Sequence, residues 1–399
     1  MLSTLLLDTT ETNAVMSETT TGSGFSLKDQ LFNRERVNYL SGLFQTADTN
    51  FDGKAFTRQC MRGLKDLELK QRIVHIASVL EKHLSDDFRI AAKQIQEALP
   101  PALDPTRTDD DFGDFIFAPL GEFVVRNGLD RKQLRHSLRT LKQITMRFSM
   151  EDAIRAFIDT HPDATLAELA QWSTDSNYHV RRLVSEGTRP KLPWSRRLTI
   201  DVTTPIPFLE TLHADPTRYV TRSVANHLND ISKSHPKLVL QLLREWKKAK
   251  RQTTKEFDWI SSHALRTLIK QGHSPALKFL GFRDNPKIEV SNFRLLRTVL
   301  RPGDSIEFDF TITAERAESL MVDYVIDFVK ANGTTAPKVH KLKRLALTKG
   351  ETASLKKRHR LHANATTYKL YAGRHAVTLQ INGQPFGTLP FELLVNSEA

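Results

Sequence analysis

The chain has 399 residues, 39% hydrophobic and 26% charged, which excludes a fibrous or low-complexity protein and leaves room for two or three domains. No apolar run reaches the ~18 residues of a membrane-spanning helix, and a single cysteine, Cys60, leaves neither a disulfide nor a zinc–thiolate site to expect. With 58 Lys and Arg against 46 Asp and Glu, the net charge of +12 points to a polyanionic partner, nucleic acid ahead of an anionic membrane surface, and a cytoplasmic location fits.

Residues 1–25 are crowded with Thr, Ser and Gly and carry no Lys or Arg, and Asp8 stops the apolar run after Leu7. A disordered tail rather than a secretory signal is expected, and Met16 offers a second start. From residue 26 to about 283 the period is helical, as where Leu69, Ile73, Ile76, Ala77 and Leu80 recur three and four apart. Helices of about 10–17 residues are predicted, with breaks at Pro100-Pro101, Gly128, His161-Pro162, Pro216 and His235-Pro236. Asp109-Asp110-Asp111 reads as a solvated acidic loop.

Within this body the sequence echoes itself. Val180-Arg181-Arg182-Leu183 lines up with Val220-Thr221-Arg222-Ser223 and, more loosely, with Ala264-Leu265-Arg266-Thr267. Arg182, Arg222 and Arg266 thus recur 40 and then 44 residues apart, and Arg155 heads an earlier, closer copy. A helix pair repeating every ~40–47 residues is the signature of a HEAT-like α-solenoid, whose second helices line a concave face. One arginine per repeat would build a ladder of positive charge suited to a phosphate backbone. The alternative is that each arginine pairs with an acid on the neighbouring helix and only builds the repeat.

Residues 177–197 hold six cations, Arg181, Arg182, Arg189, Lys191, Arg196 and Arg197, and one acid, Glu186. Neighbouring positive charge should keep that carboxylate ionised, and its position four residues after Arg182 puts both on one helix face. Gly187 reads as a helix C-cap, and Pro190 and Pro193 stiffen a loop that presents Trp194. Glu151 precedes Arg155, and Asp230 ends the helix of Arg222, so three acids sit on consecutive inner-helix candidates. Acids in a basic groove repel phosphate, and a cationic substrate would justify them. Trp194 and Trp172 could stack on such a substrate and attract its charge; an intrahelical salt bridge is the plainer role for Glu186.

The runs Glu151-Asp-Ala-Ile-Arg155-Ala-Phe157, His179-Val-Arg-Arg-Leu-Val-Ser-Glu-Gly-Thr-Arg-Pro-Lys-Leu-Pro-Trp194, Arg222-Ser-Val-Ala-Asn-His-Leu-Asn-Asp230 and His263-Ala-Leu-Arg-Thr-Leu resemble the AlkC family of bacterial DNA glycosylases for alkylated bases, related to AlkD. The resemblance covers about residues 26–282, departing at Asp152 and Ala156, where an aromatic and a proline are expected. It implies excision of 3-methyladenine and 3-methylcytosine from duplex DNA, without full base flipping, metal or cofactor, by a monomer. It also implies that Glu151, Glu186 and Asp230 surround the lesion with Trp194 beside them. Arg155, Trp172, His179, Arg181, Arg182, Arg189, Lys191, Arg222 and Arg266 are then the candidate DNA contacts.

The chemistry can be spare. A base methylated at N3 is already cationic, so its departure needs no proton from an acid of the kind glycosidases use. What remains is to stabilise an oxocarbenium-like sugar and aim water at it, which ionised carboxylates can do. The competing reading is a HEAT scaffold that holds DNA or an acidic protein without chemistry.

Past about residue 286 the period changes to two. Ile306, Phe308, Phe310 and Ile312 alternate with polar residues after Pro302-Gly303-Asp304, Val322, Tyr324, Ile326 and Phe328 repeat the pattern, and Val377, Leu379 and Ile381 lead into Asn382-Gly383, a hairpin signal. An all-β immunoglobulin-like sandwich without its disulfide is expected over residues 284–399, and some AlkC relatives are thought to carry such a domain. Between Lys338 and Arg360 nine Lys or Arg face one acid, Glu351. Lys341, Lys343, Arg344, Lys356, Lys357 and Arg358 are candidate phosphate contacts of a DNA clamp facing the solenoid groove; a charged, edge-protecting strand pair is the alternative. The 14 histidines show no metal-ligand spacing, and Ser185 lacks a nucleophile context.

Overall fold

The computed structural model describes residues 26–106, 112–365 and 368–395; the N-terminal tail with Met16 and the Asp109-Asp110-Asp111 loop lie outside them. The helices are α1 (Leu27–Leu31), α2 (Arg34–Ala47), α3 (Gly53–Met61), α4 (Leu69–Leu80), α5 (Phe88–Ala98), α6 (Ala118–Gly128), α7 (Leu134–Thr145), α8 (Glu151–Thr160), α9 (Pro162–Trp172), α10 (Tyr178–Gly187), α11 (Ile206–Leu212), α12 (Arg218–Ser232), α13 (Pro236–Ala249), α14 (Thr254–Ala264), α15 (Arg266–Lys270) and α16 (Ser274–Phe279). Their starts follow local chemistry. Asn33, Asp52, Asp87 and Asn177 each accept a backbone N–H of the first turn, satisfying a donor that the helix leaves open, and Pro162 opens α9, where its missing N–H costs nothing. None of these helices is long and apolar enough to cross a membrane.

Helices pack on their next-but-one neighbours as well as on adjacent ones: α4 on α6, α5 on α7, α6 on α8 and α8 on α10. That is the packing of stacked helical repeats. The described residues divide into two compact units, one running to Ile231 and including Lys250–Ile260, the other made of Ser232–Ala249 and the chain from Ser261. α13, α15 and α16 therefore belong to the unit that contains all the strands.

Those strands are β1 (Ile288–Leu295), β2 (Val299–Leu300), β3 (Ser305–Ala314), β4 (Glu318–Val329), β5 (Thr335–Leu347), β6 (Thr352–Arg360), β7 (Gly373–Ile381) and β8 (Gln384–Leu393). They form a three-stranded sheet, β1-β3-β6, and a five-stranded sheet, β2-β8-β7-β4-β5, an immunoglobulin-like sandwich. The alternation of period two becomes its core: Ile306, Phe308, Phe310, Ile312, Val322, Tyr324 and Ile326 are all buried. Asn382 and Gly383 turn β7 into β8 with φ of 48° and 79°, as a two-residue type I′ turn requires. The Asn382 amide also accepts from Met321 N and donates to Arg283 O, which fastens the turn to the segment leading into the sandwich.

The basic run does not form a hydrogen-bonded strand pair. β5 pairs with β4 and β6 with β3, so each is the edge of a different sheet. Because side chains alternate between faces, the cations part company. Lys343, His340 and Lys338 share a face with the buried Val322, Tyr324 and Ile326, while Lys341 and Arg344 lie opposite Asp323 and Met321 on the other.

Candidate active site

Arg155, Arg182 and Arg222 are each the fifth residue of their helices, α8, α10 and α12. The three acids stand on the same helical stripe, one turn before Arg155 (Glu151), one turn after Arg182 (Glu186) and two turns after Arg222 (Asp230). Folding links them through two arginines. Arg182 Nη1 donates to Glu151 Oε2 at 3.2 Å and to Ser149 Oγ at 2.7 Å, and its Nη2 lies 3.7 Å from Glu186 Oε2. Arg189 Nη1 donates to Glu186 Oε1 at 2.6 Å, and its Nε and Nη2 reach Asp230 Oδ2 at 3.0 and 2.9 Å. Ser223 Oγ donates to Glu186 Oε2 at 2.6 Å. The result is a chain of alternating charge, Glu151–Arg182–Glu186–Arg189–Asp230.

The chain meets solvent at one end. The Glu151 side chain is 27% exposed, against 7% for Glu186 and 3% for Asp230. Burial pushes the Glu151 carboxyl up and the nearby Glu186 charge adds to this, while Arg182 pulls it down without cancelling them. Glu186 differs: burial raises it, but Arg189 and Arg182, with hydrogen bonds from Ser223 and Arg189, hold it down at about 2. Arg182 itself sits 4.5 Å from the Tyr219 ring centre and 5.5 Å from that of Phe112, against two rings that meet edge to face and attract its charge. The Tyr219 hydroxyl is buried beside this pair without a hydrogen-bond partner among the described residues.

Several residues expected to touch DNA do other work. Trp172 is 1% exposed and donates Nε1–H to Glu168, so it is core. Arg155 is buried and donates to the carbonyls of Arg196, Gly187 and Arg189, anchoring the 187–197 loop to α8. Arg181 is tied to Asp215 and to the carbonyls of Asp175 and Ser176. His179 is buried against Tyr178 and Tyr219 and pushed down by that burial to about 3, so it is neutral and brings no charge to a phosphate. Arg182 and Arg189 serve carboxylates. Arg222 is half-buried, and Arg266, which donates to His263 O, is the first residue of α15 rather than the fifth, so it does not hold the place the other three share. Lys191 remains exposed.

Trp194 is 52% exposed and holds a φ of 68°, a conformation that costs a bulky residue on the order of 1–3 kcal/mol. Its carbonyl accepts a hydrogen bond from Lys70, and its ring makes no aromatic or cation–π contact among the described residues. Gly187 is not a C-cap but the last residue of α10. A Cβ there would lie 2.5 Å from Ile154 Cγ2, so it is the residue that lets α10 approach α8. Gly187→Ala should cost about 1–3 kcal/mol of overpacking, measurable as a lower urea midpoint.

Residues 289–395 match the family model described as "Uncharacterised protein YhaZ, C-terminal Ig-like domain". The chain is 32% identical over 368 residues to "Uncharacterized protein YhaZ" of Bacillus subtilis (strain 168), spanning 91% of this chain and 98% of that one. It is 34% identical, with a TM-score of 0.83 over 93% of this chain and 100% of the other, to the Pseudomonas fluorescens alkylpurine DNA glycosylase AlkC bound to DNA containing an abasic site analog. The chain belongs to the AlkC family. For this AlkC member the sequence pointed to the three acids but missed Tyr219, Ser223, Phe112 and Ser149, which bear on the chain from α12 and from two loops. Only Ser223 had a visible signal, as the neighbour of Arg222 in the internal echo.

The helical unit of this AlkC protein also carries an acid liability. Burial is the main cause that pushes His179 to about 3 and His213 and His227 to about 4. Unfolded, they titrate near ~6.5. Below that pH the unfolded state binds protons that the folded state refuses, so stability falls from about pH 6.5 towards pH 4 at up to ~1.4 kcal/mol per pH unit for each histidine. Melts between pH 7.5 and 5 should show this loss well above the carboxylate range.

Proposed function

We propose that the protein is a monofunctional DNA glycosylase that hydrolyses the N-glycosidic bond of cationic N3-methylated bases, 3-methyladenine and 3-methylcytosine, in duplex DNA. The observation that carries this reading is the acid–arginine chain that opens to solvent only at Glu151. Membership of a family whose Pseudomonas fluorescens relative is an alkylpurine DNA glycosylase supports it.

The roles follow from how far each carboxylate is already engaged. Glu186 takes hydrogen bonds from Arg189 and Ser223 and a further charge from Arg182, so it has little capacity left for water; it and Asp230 act as fixed negative charge. Glu151 has one guanidinium partner and a solvent-facing side, so it orients the water and takes its proton. The carboxylates together favour the oxocarbenium-like sugar and the cationic base. Neutral lesions gain little from such a site. Because the base leaves as a neutral molecule, no protonating acid is needed and the base need not be fully extruded. The exposed Trp194 is the stacking surface beside the lesion, and Lys191, Lys341, Lys343, Arg344 and Lys356 hold phosphates.

The test is release of free base from methylated duplex DNA in the presence of a chelator. Release of 3-methyladenine is expected, with neutral alkylated bases retained. Tight DNA binding with no base release would make the protein a scaffold. Neutralising one phosphate-contacting lysine should lower the slope of log K against log salt by about one.

A further inference from the structure

The strand-bearing unit contains a cavity of about 390 Å3 lined by Phe328, Lys338, Arg358, His359, Arg360, His362, Tyr368 and Lys369. It sits where the edges of the two sheets come together, β5 giving Lys338, β6 giving Arg358 to Arg360, and His362, Tyr368 and Lys369 completing the lining. No acid lines it. Arg358 is already engaged by Glu307 and Ser305, but Lys338, Arg360 and Lys369 have no carboxylate partner among the described residues. His359 accepts from or donates to the Tyr324 hydroxyl through Nδ1 and is pushed down to about 4 by burial first and then by Lys357 and Lys338. It is a neutral wall of a positively charged pocket.

We infer that this cavity is a binding site for a terminal phosphate carried on a nucleoside. Three cations without a carboxylate partner among the described residues converge from three segments on one concavity, where a surface that tracks a DNA backbone would spread them along a stripe. Convergence suits a ligand with concentrated charge: a phosphomonoester carries about −1.5 to −2 at pH 7, a backbone phosphodiester only one. The volume lies within the ~300–1,000 Å3 of small-molecule sites. Phe328 and Tyr368, with ring centres 6.4 Å apart, give an apolar wall for a base, and Lys338, 5.2 Å from the Tyr368 ring centre, stands where that wall meets the charged end. The ligand is a free nucleotide or the phosphorylated end of a strand, which share this chemistry. The site is independent of the acids on α8, α10 and α12.

Calorimetric titration of the full chain with deoxyadenosine 5′-monophosphate, deoxyadenosine and the dinucleotide d(ApA) tests it. The monophosphate should bind at least about tenfold tighter than either of the others, and Lys338→Gln/Lys369→Gln should weaken it by a similar factor. Both lysines are exposed, so the double variant should melt with the wild type; if it does not, Arg360→Gln gives the same reading. Tyr368→Ala should weaken the monophosphate while leaving inorganic phosphate unchanged. A 5′-phosphorylated oligonucleotide competing better than the monophosphate assigns the site to strand ends; one that competes only as well assigns it to free nucleotides. Equal affinity for d(ApA) and the monophosphate, or binding indifferent to the lysine and arginine variants, overturns the inference.

Discussion

Glu151→Gln should cut base release by roughly 10²–10⁴-fold while leaving the protein as stable as the wild type or more so. The two effects share one cause. Burial and the Glu186 charge raise the Glu151 carboxyl above its ordinary range, so in the folded state the ionised form is disfavoured relative to the unfolded chain. A raised carboxylate pKa means that ionisation at neutral pH costs stability, and this cost disappears as pH falls towards the folded value. Glutamine copies the protonated form without the charge, and Arg182 keeps Ser149, Glu186 and its two aromatic rings. Glu186→Gln should instead destabilise the fold. Its carboxyl is held at about 2, so its ionised form stabilises the fold above the unfolded value near 4.5, and that contribution is lost as pH falls through about 2. Single-turnover base release and melts of both variants at pH 7.5 and pH 5 decide the point, with the Glu151→Gln advantage shrinking at the lower pH. A Glu151→Gln protein that still releases base would move water activation to another carboxylate.

What could be read from the chain depended on how local the physics was. The sandwich was legible because alternation and the Asn382-Gly383 turn act over a few residues, and Ile306 to Ile312 had only one face to bury. The acids were legible because each lies whole turns from an arginine at the same helical position. The arginines' partners were not. Arg155, Arg182 and Arg222 share the fifth place in their helices, yet Arg155 binds three loop carbonyls and Arg182 binds an acid on another helix. Which happens is set by the approach of α8 to α10 across Gly187 and by the path of the loop after it, neither of which has a periodic trace. Trp172 misled for a related reason: a Trp in a basic segment looks available for stacking, but it ends α9 pointing into the repeat.

Arg189→Met should destabilise the helical unit by about 3–5 kcal/mol, the cost of breaking a buried ion pair from one side. Arg189 bonds both Glu186 and Asp230, and methionine fills its volume without replacing a single donor. Two carboxylates would then face each other across a space closed to water, with Ser223 and the more distant Arg182 as the remaining partners of Glu186. Restoring neutrality should therefore rescue the fold: adding Glu186→Gln and Asp230→Asn to Arg189→Met should recover most of the loss, because replacing all partners of a buried ionic network is far cheaper than removing one. The pH dependence should invert as well. In the wild type Glu186 favours folding more as pH rises through its range, since Arg189 and Arg182 outweigh burial. Without Arg189 burial gains the upper hand, the Glu186 carboxyl moves up, and protonation relieves the strain, so the deficit of the variant should narrow on acidification. Urea titrations of the three proteins at pH 7.5 and pH 5 separate this from a simple packing defect, whose cost would not change with pH or respond to the added amides.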